Sequence, residues 1–166
     1  MHHAVLVRSA AVLLAMAFPA TACDDDSKDG GVFTPSPSAS RPAAETPDPG
    51  GQDGIAGAQA ALQAFLRGQA AGDAGVCRYV APGGAFVKGP ALRGNCPEGV
   101  KSTPHLLRPQ EQQAMRSVVV HGGRLSGEEA VIPFSALHWT AGSMTASTLQ
   151  PRFVLRRSEG TWQIVK

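Results

Sequence analysis

The residues of this 166-residue chain that could bind a metal or take part in catalysis are its histidines and its acids. His105, His121 and His138 would bind a metal only if the fold brought three imidazoles together, and separate surface histidines are the simpler interpretation. Glu128 and Glu129 lie at a predicted turn, where we expect solvated carboxylates. No nucleophile elbow, phosphate loop, zinc-protease helix or dinucleotide fingerprint occurs. The sequence therefore predicts no catalytic residue, no metal and no cofactor.

Charge divides the chain into segments. Residues 23–54 have a net charge of −5, and residues 55–166 have a net charge of +6. The bases of the second segment are scattered, which favours a solvated surface over a dedicated anion-binding face. No basic helix, aromatic-plus-basic pattern or zinc spacing is present, so we expect no nucleic-acid partner.

The N-terminus has the layout of a secretory signal peptide. Arg8 gives a basic start, residues 9–18 are apolar, and Pro19 precedes the small residues Ala20-Thr21-Ala22. The apolar run is shorter than the ~20 residues that a membrane-spanning helix needs. The sequence thus predicts a signal peptide over residues 1–22.

Ala20-Thr21-Ala22-Cys23 resembles the lipobox of bacterial lipoproteins, although Ala20 stands where that family usually has Leu. The resemblance implies that Cys23 becomes the lipidated N-terminus, with acyl chains such as palmitate holding the exported chain on the outer face of the cytoplasmic membrane. The alternative is plain cleavage after Ala22, with Cys23 free or paired.

Lipidation of Cys23 would leave Cys77 and Cys96 as the remaining two of three cysteines. In an oxidising compartment such a pair is expected to form a disulfide, here closing a 20-residue loop. Two unpaired thiols are the alternative.

Residues 23–54 are rich in Asp, Ser, Thr, Pro and Gly, with few large apolar residues. Such a segment cannot bury enough surface to offset the entropy of ordering it, so we predict a disordered tether. The globular domain is therefore assigned to residues 55–166.

The domain begins with helical patterns and ends with strand patterns. Ile55, Ala58, Leu62, Phe65 and Leu66 form one stripe of a helix that Gly72 ends. Asp73 is a candidate cap for a short second helix, the Gly- and Pro-rich residues 83–103 predict a loop, and Pro109 can open a third helix.

Strands are predicted over residues 117–121, 130–137, 145–157 and 161–165, the last two joined by a turn at Ser158-Glu159-Gly160. Helices followed by an antiparallel meander predict an α+β fold, with N-terminal helices packed on a curved antiparallel sheet. Four strands are too few for the rival immunoglobulin-like sandwich.

This pattern resembles the cone-shaped domains of the nuclear-transport-factor-two-like superfamily, as in small actinobacterial lipoproteins. The resemblance covers about residues 55–166. It rests on the Ala-rich helix, the Gly72-Asp73 break, the Pro109 helix before Val118-Val119-Val120, and the final residues 153–165. It implies a concave sheet face partly covered by helices.

Tyr79, His121, His138 and Trp139 are the residues best suited by type to line such a mouth. They offer aromatic surface and switchable hydrogen-bonding groups without an acid pair, so we predict a non-catalytic module that binds a small molecule or an envelope protein. A structural accessory of cell-wall machinery is the alternative, and an isomerase- or cyclase-like enzyme is a further one. Tyr79 packed in the core and Trp139 as a lone exposed aromatic would mean that no such site exists.

Overall fold

The computed structural model describes residues 47–166. The signal peptide predicted over residues 1–22, the lipidated Cys23 and most of the tether predicted over residues 23–54 lie outside the described residues.

The described chain is an α+β domain with its helices concentrated in the first half, as the sequence predicts. Its helices are α1 (Gly54–Ala71), α2 (Ala85–Lys88), α3 (Cys96–Leu106) and α4 (Pro109–Ser117). Its strands are β1 (Val119–Val120), β2 (Arg124–Ser126), β3 (Glu129–Pro133), β4 (Leu137–His138), β5 (Arg152–Ser158) and β6 (Thr161–Ile164). Short 3₁₀ helices at Pro49–Gly51, Ala74–Tyr79 and Phe134–Ala136 complete the elements.

The strands form two antiparallel sheets within residues 47–166. The larger has the order β2-β3-β5-β6, and β1 pairs with β4 in a two-stranded ribbon. Ile132 on β3 lies opposite Phe153 on β5, and Leu155 lies opposite Ile164 on β6. All four side chains are fully buried, so these two cross-strand pairs are part of the core.

Helix α1 confirms the predicted apolar stripe. Ala58, Leu62, Phe65 and Leu66 are buried, and Ile55 packs half-buried against them. The helix ends at Gly72, whose φ of 75° gives the left-handed C-cap that lets its N–H bond the Gln69 carbonyl. The predicted cap at Asp73 is also confirmed, since its side chain accepts from the Gly75 N–H, but the element it opens is a 3₁₀ helix.

The folded domain begins earlier than residue 55. Gly50 is buried against the Tyr79 ring, where a Cβ would lie 2.6 Å from Cε1. Farther along, the Trp162 indole donates to the Gln52 carbonyl at 3.1 Å, and Arg157 pairs with Asp53. The end of the predicted tether is therefore part of the fold, because a glycine, an aspartate and a backbone carbonyl find partners on the domain.

The prediction of a loop over residues 83–103 is wrong. It overlooked α2 and the 11-residue helix α3. Asn95 caps α3 by accepting from the Glu98 N–H, and Pro97 lies in the first turn, where its missing N–H costs nothing. Gly99 is needed because a Cβ there would lie 2.6 Å from the Cα of Leu92. Pro97 and Gly99 are thus compatible with a helix, because one begins it and the other allows it to pack closely against Leu92.

Two strand boundaries also differ from the prediction. The run at residues 130–137 is split, because a 3₁₀ turn at Phe134–Ala136 separates β3 from β4. The strand predicted over residues 145–157 begins only at Arg152. Before it, Thr145 accepts from the Thr148 and Leu149 N–H groups, which makes a turn. Strand β2 was not predicted, since its three residues are all exposed and carry no apolar pattern.

The predicted disulfide between Cys77 and Cys96 is present, with the two Cα atoms 5.9 Å apart. It joins the 3₁₀ helix Ala74–Tyr79 to the first turn of α3. The bond therefore fixes the start of α3 to the segment that follows α1.

Candidate functional site

A cavity of about 610 Å³ lies where the helices meet the end of the larger sheet. This volume is within the usual range of small-molecule sites. Every one of the four helices contributes to its walls, together with the segment before β5, β5 itself and the C-terminal residue. The lining residues are Gln69, Ala85, Phe86, Gly89, Pro90, Ala91, Thr103, Leu106, Leu107, Met115, Thr148, Leu149, Gln150, Phe153 and Lys166.

The walls of the cavity are mainly apolar. Phe86 stands between Phe65 and Phe153, with ring centroids 5.5 Å and 6.1 Å away. Helix α2 is held in place because the Phe86 N–H donates to the Val165 carbonyl. Met115 from α4 is nearly fully buried and adds a flexible thioether to the wall. This lining favours contact with an apolar ligand.

Two buried polar side chains interrupt the apolar wall. Gln69 on α1 is 4% exposed and Thr103 on α3 is 7% exposed. The Gln69 amide nitrogen donates to Thr103 Oγ1 at 3.3 Å, and that hydroxyl donates to the Gly99 carbonyl at 2.8 Å. The bond joins α1 to α3 at the cavity surface.

The rim of the cavity is exposed and polar. Thr148 and Lys166 are exposed there, and Gln150 is half-buried with its amide donating to the Arg152 carbonyl. Among the lining residues, Lys166 is the one with an ionisable side chain. The cavity therefore has a buried end with an amide and a hydroxyl, and an open end with a single cationic side chain.

The structure places Tyr79 in the core, away from the residues that line this cavity. Its ring is fully buried, and its hydroxyl donates to Asp48 Oδ1 at 2.6 Å while accepting from Arg78 Nη2 at 2.8 Å. Burial, reinforced by the bond to Asp48, raises the Tyr79 pKa. Burial also acts to raise the Asp48 pKa, but hydrogen bonds from Tyr79 and Gly50 outweigh it and the pKa is lowered.

His121 directly follows β1, His138 ends β4, and Trp139 directly follows β4. The two imidazole centroids are 6.1 Å apart, and both histidines are exposed. Trp139 is half-buried against Phe134, with centroids 5.6 Å apart. The pairing of β1 with β4 therefore brings two of the four predicted residues, His121 and His138, close together.

Helix α1 separates β1, which His121 directly follows, from Tyr79. Gln63 on α1 accepts from the β1 N–H of Val120. Ala61 instead faces Gly50 beside the Tyr79 ring. Because residues two apart on a helix point about 200° apart, the two contacts lie on opposite sides of α1. The structure therefore does not bring Tyr79 together with the histidines, and none of the four predicted residues lines the 610 Å³ cavity.

A second cavity, of about 470 Å³, lies beside the disulfide. Cys77 and Cys96 line it together with Val80, Pro82, Val87 and Lys88, among others. Its lining contains one cationic side chain, Lys88, and the disulfide itself.

The acids and histidines of the described chain form no group of three that could hold a metal ion. Glu111 is buried as part of a helix cap. Its carboxylate accepts from the Arg108 backbone N–H and side chain, and these hydrogen bonds lower the Glu111 pKa. Glu129 pairs with Arg156 across β3 and β5. These two carboxylates therefore stabilise a helix cap and a strand pair.

The residues that line the cavity were missed by sequence reasoning, although one signal was present. Gln69 lies four residues after Phe65 and seven after Leu62, so it continues the apolar stripe of α1. A polar residue on the buried face of a helix needs a partner or a function.

Comparison of the chain with family models, with curated proteins and with solved structures finds no match. None of the helices within residues 47–166 combines the length and the apolar character that crossing a membrane requires.

Proposed function

We propose that this domain is a non-catalytic binding module for a small, largely apolar molecule. The observation that carries the proposal is the 610 Å³ cavity, whose wall is built from aromatic and aliphatic side chains with a few polar groups. Pockets of this size and composition are typical of small-molecule sites. Its position between helices and sheet is where a domain like those of the nuclear-transport-factor-two-like superfamily would have its concave face.

The chemistry of the lining favours binding without turnover. Catalysis by proton transfer or covalent attack needs a nucleophile or a titratable group beside the bound molecule. Here the buried end of the cavity offers an amide and a threonine hydroxyl that is already donating to a backbone carbonyl. The ionisable group, Lys166, is an exposed residue at the rim.

We further propose that the module works at the outer face of the cytoplasmic membrane, anchored by lipid on Cys23. Ala20-Thr21-Ala22-Cys23 supports the anchor, and the tether predicted from residue 23 would hold the domain clear of the lipid surface. The Cys77–Cys96 disulfide supports an oxidising compartment, because such bonds persist mainly outside the cytoplasm.

The binding proposal is tested by filling the cavity. Leu149 is half-buried and lines it, so Leu149→Trp should occupy part of its volume. Leu125 lies on β2, is 49% exposed and is not among the lining residues, so Leu125→Trp is the matched control. The neutral apolar dye N-phenyl-1-naphthylamine is titrated into the full chain and both variants, and thermal unfolding checks that each is folded.

We expect the parent chain and Leu125→Trp to bind the dye with equal affinity and Leu149→Trp to bind it at least tenfold more weakly. A filled cavity loses apolar burial worth about 1.5 kcal/mol or more, which corresponds to that factor. Absence of saturable binding by the folded parent chain would overturn the proposal and leave a structural accessory as the better interpretation. Equal binding by all three proteins would place the dye elsewhere and refute this cavity as the site.

A further inference from the structure

The Gln69 amide is the most specific polar feature of the cavity. It belongs to a residue that is 96% buried, on a helix face otherwise made of Gly, Ala, Leu and Phe. Its nitrogen is bonded to Thr103, and the Thr103 hydroxyl proton is used on the Gly99 carbonyl. This chain of bonds fixes which end of the amide faces Thr103, because the threonine oxygen is left as an acceptor.

The other end of the amide, Oε1, has no hydrogen-bond partner among residues 47–166. Every fully enclosed side-chain nitrogen and oxygen in that part of the chain does have a partner. Gln69 Oε1 must therefore touch open space, and the open space that this buried residue lines is the 610 Å³ cavity. Gln69 Oε1 is therefore a hydrogen-bond acceptor without a partner from the described chain, in a mainly apolar cavity wall.

We propose that the ligand of this cavity is a neutral, largely apolar molecule whose hydroxyl group donates a hydrogen bond to Gln69 Oε1. The inference rests on the proposed binding function and names the chemistry of the ligand. A buried acceptor left without a donor is unfavourable, so a ligand that supplies one gains over an equally apolar ligand that does not.

An anionic head group is a poorer fit for the buried end. A carboxylate would face the partial negative charge of Gln69 Oε1 and would lose its water among Phe86, Met115 and Phe153. The cation that could compensate it, Lys166, is exposed at the rim. An anion bound at the rim is therefore a distinct binding mode, and the experiment separates it from the hydroxyl mode.

Three probes of similar length test the inference on the full chain. The first is 1-decanol, and the second is its isomer 1-methoxynonane, which has the same atoms but no donor. The third is decanoate, which is an anion at pH 7. Each displaces N-phenyl-1-naphthylamine, and the inhibition constants are compared. We expect 1-decanol to bind about fivefold more tightly than 1-methoxynonane, the factor that one net hydrogen bond provides.

Two variants locate the effect. Gln69→Met keeps the length and apolar contact of the side chain but removes the acceptor, so it should bind both isomers with equal affinity. Gln59→Met changes a glutamine on the same helix, whose amide donates to the Gly122 carbonyl and which does not line the cavity. It should keep the full preference for 1-decanol.

The outcomes distinguish the two proposals. Binding of all three probes without preference by the parent chain would support the binding function and overturn the hydroxyl inference. Tightest binding of decanoate, lost in Lys166→Gln, would also overturn it and indicate an anion at the rim. Failure of all three probes to displace the dye would overturn both proposals. The comparison of isomers on the parent chain does not depend on the folding of any variant.

Discussion

Tyr79→Phe removes one oxygen atom and tests whether residues 48–53 belong to the folded domain. The hydroxyl donates to Asp48 and accepts from Arg78, whose guanidinium also lies 4.8 Å from the ring centroid. The ring itself fills a fully buried site against Gly50. A phenylalanine keeps that packing, so the substitution isolates the polar contacts.

The expected cost is about 1.5 kcal/mol in the free energy of unfolding. A hydrogen bond to a charged group contributes about 1.5–3 kcal/mol. The Asp48 side chain is 36% exposed and also accepts from the Gly50 N–H, so solvent and that second donor keep the value at the low end. For a domain of this size the loss corresponds to a fall of about 6 °C in Tm.

Urea unfolding of the parent chain, Tyr79→Phe, Asp48→Asn and the double variant measures the effect. The midpoints should fall without a change in the m-value, since the exposed surface is unchanged. Because the two side chains are in direct contact, the cycle should give a coupling energy of about 1 kcal/mol. A cost below 0.5 kcal/mol for Tyr79→Phe, or additive single effects, would refute the reasoning.

The same contact has a predictable pH dependence. Because the Asp48 pKa is lowered, the ionised carboxylate stabilises the fold above the ordinary aspartate pKa of about 4. This stabilisation is lost as pH falls through the pKa that Asp48 has in the folded state. Because the Tyr79 pKa is raised, the protonated hydroxyl stabilises the fold below about pH 10. This stabilisation is lost as pH rises through the pKa that Tyr79 has in the folded state. The stability gap between the parent chain and Tyr79→Phe should therefore be widest near pH 7 and smaller at pH 3. A constant gap would contradict this assignment.

Three further substitutions probe other parts of the chain. Cys77→Ala should cost about 3 kcal/mol, because opening the 20-residue loop to Cys96 restores entropy to the unfolded chain; two alkylatable thiols in the denatured, unreduced parent chain would show that no bond exists. Cys23→Ala should release the protein into the medium or leave it unprocessed, and a mature-sized variant in the membrane fraction would contradict lipidation. Gly57→Ala should cost at least about 2 kcal/mol in urea unfolding, because its Cβ would overlap the Gln52 carbonyl; an unchanged midpoint would show that Gln52 is not docked.

The elements that sequence reasoning predicted correctly have local causes. Helix α1 follows from its apolar stripe and from Gly72, which adopts a φ open to glycine at little cost. The β5–β6 hairpin follows from Glu159-Gly160, where both residues have positive φ and Ser158 pairs with Thr161. Such a two-residue turn matches the twist of its strands.

The errors arose where local signals have a tertiary meaning. Pro97 and Gly99 favour a loop by propensity, but one occupies the first turn of α3 and the other allows close contact with Leu92. Asp48 and Gly50 resemble the rest of the predicted tether in composition, but Tyr79 gives them a partner 31 residues away from Asp48. Local sequence patterns span only a few residues, so they cannot include both partners of such a contact.

The candidate site could not be predicted for a related reason. Its lining comes from every helix and from residues 148–153 and 166, so no spacing between neighbouring residues marks it. Tyr79 and the exposed histidines were chosen because their types suit binding. The residues that the fold assembles are generic apolar side chains, and the informative exception is Gln69 on the apolar stripe of α1.

The disulfide and the cavity are connected through α3. Cys96 begins this helix and is bonded to Cys77, in the 3₁₀ helix that directly follows α1. Thr103, two turns later, meets Gln69 near the end of α1. The covalent bond thus joins α3 to the segment directly after α1, so the two helices whose side chains form the hydrogen-bonding pair are linked through that segment. An acceptor held by two tethered helices does not have to be ordered when a ligand arrives, and such preorganisation favours affinity for a small molecule that makes only one directional contact.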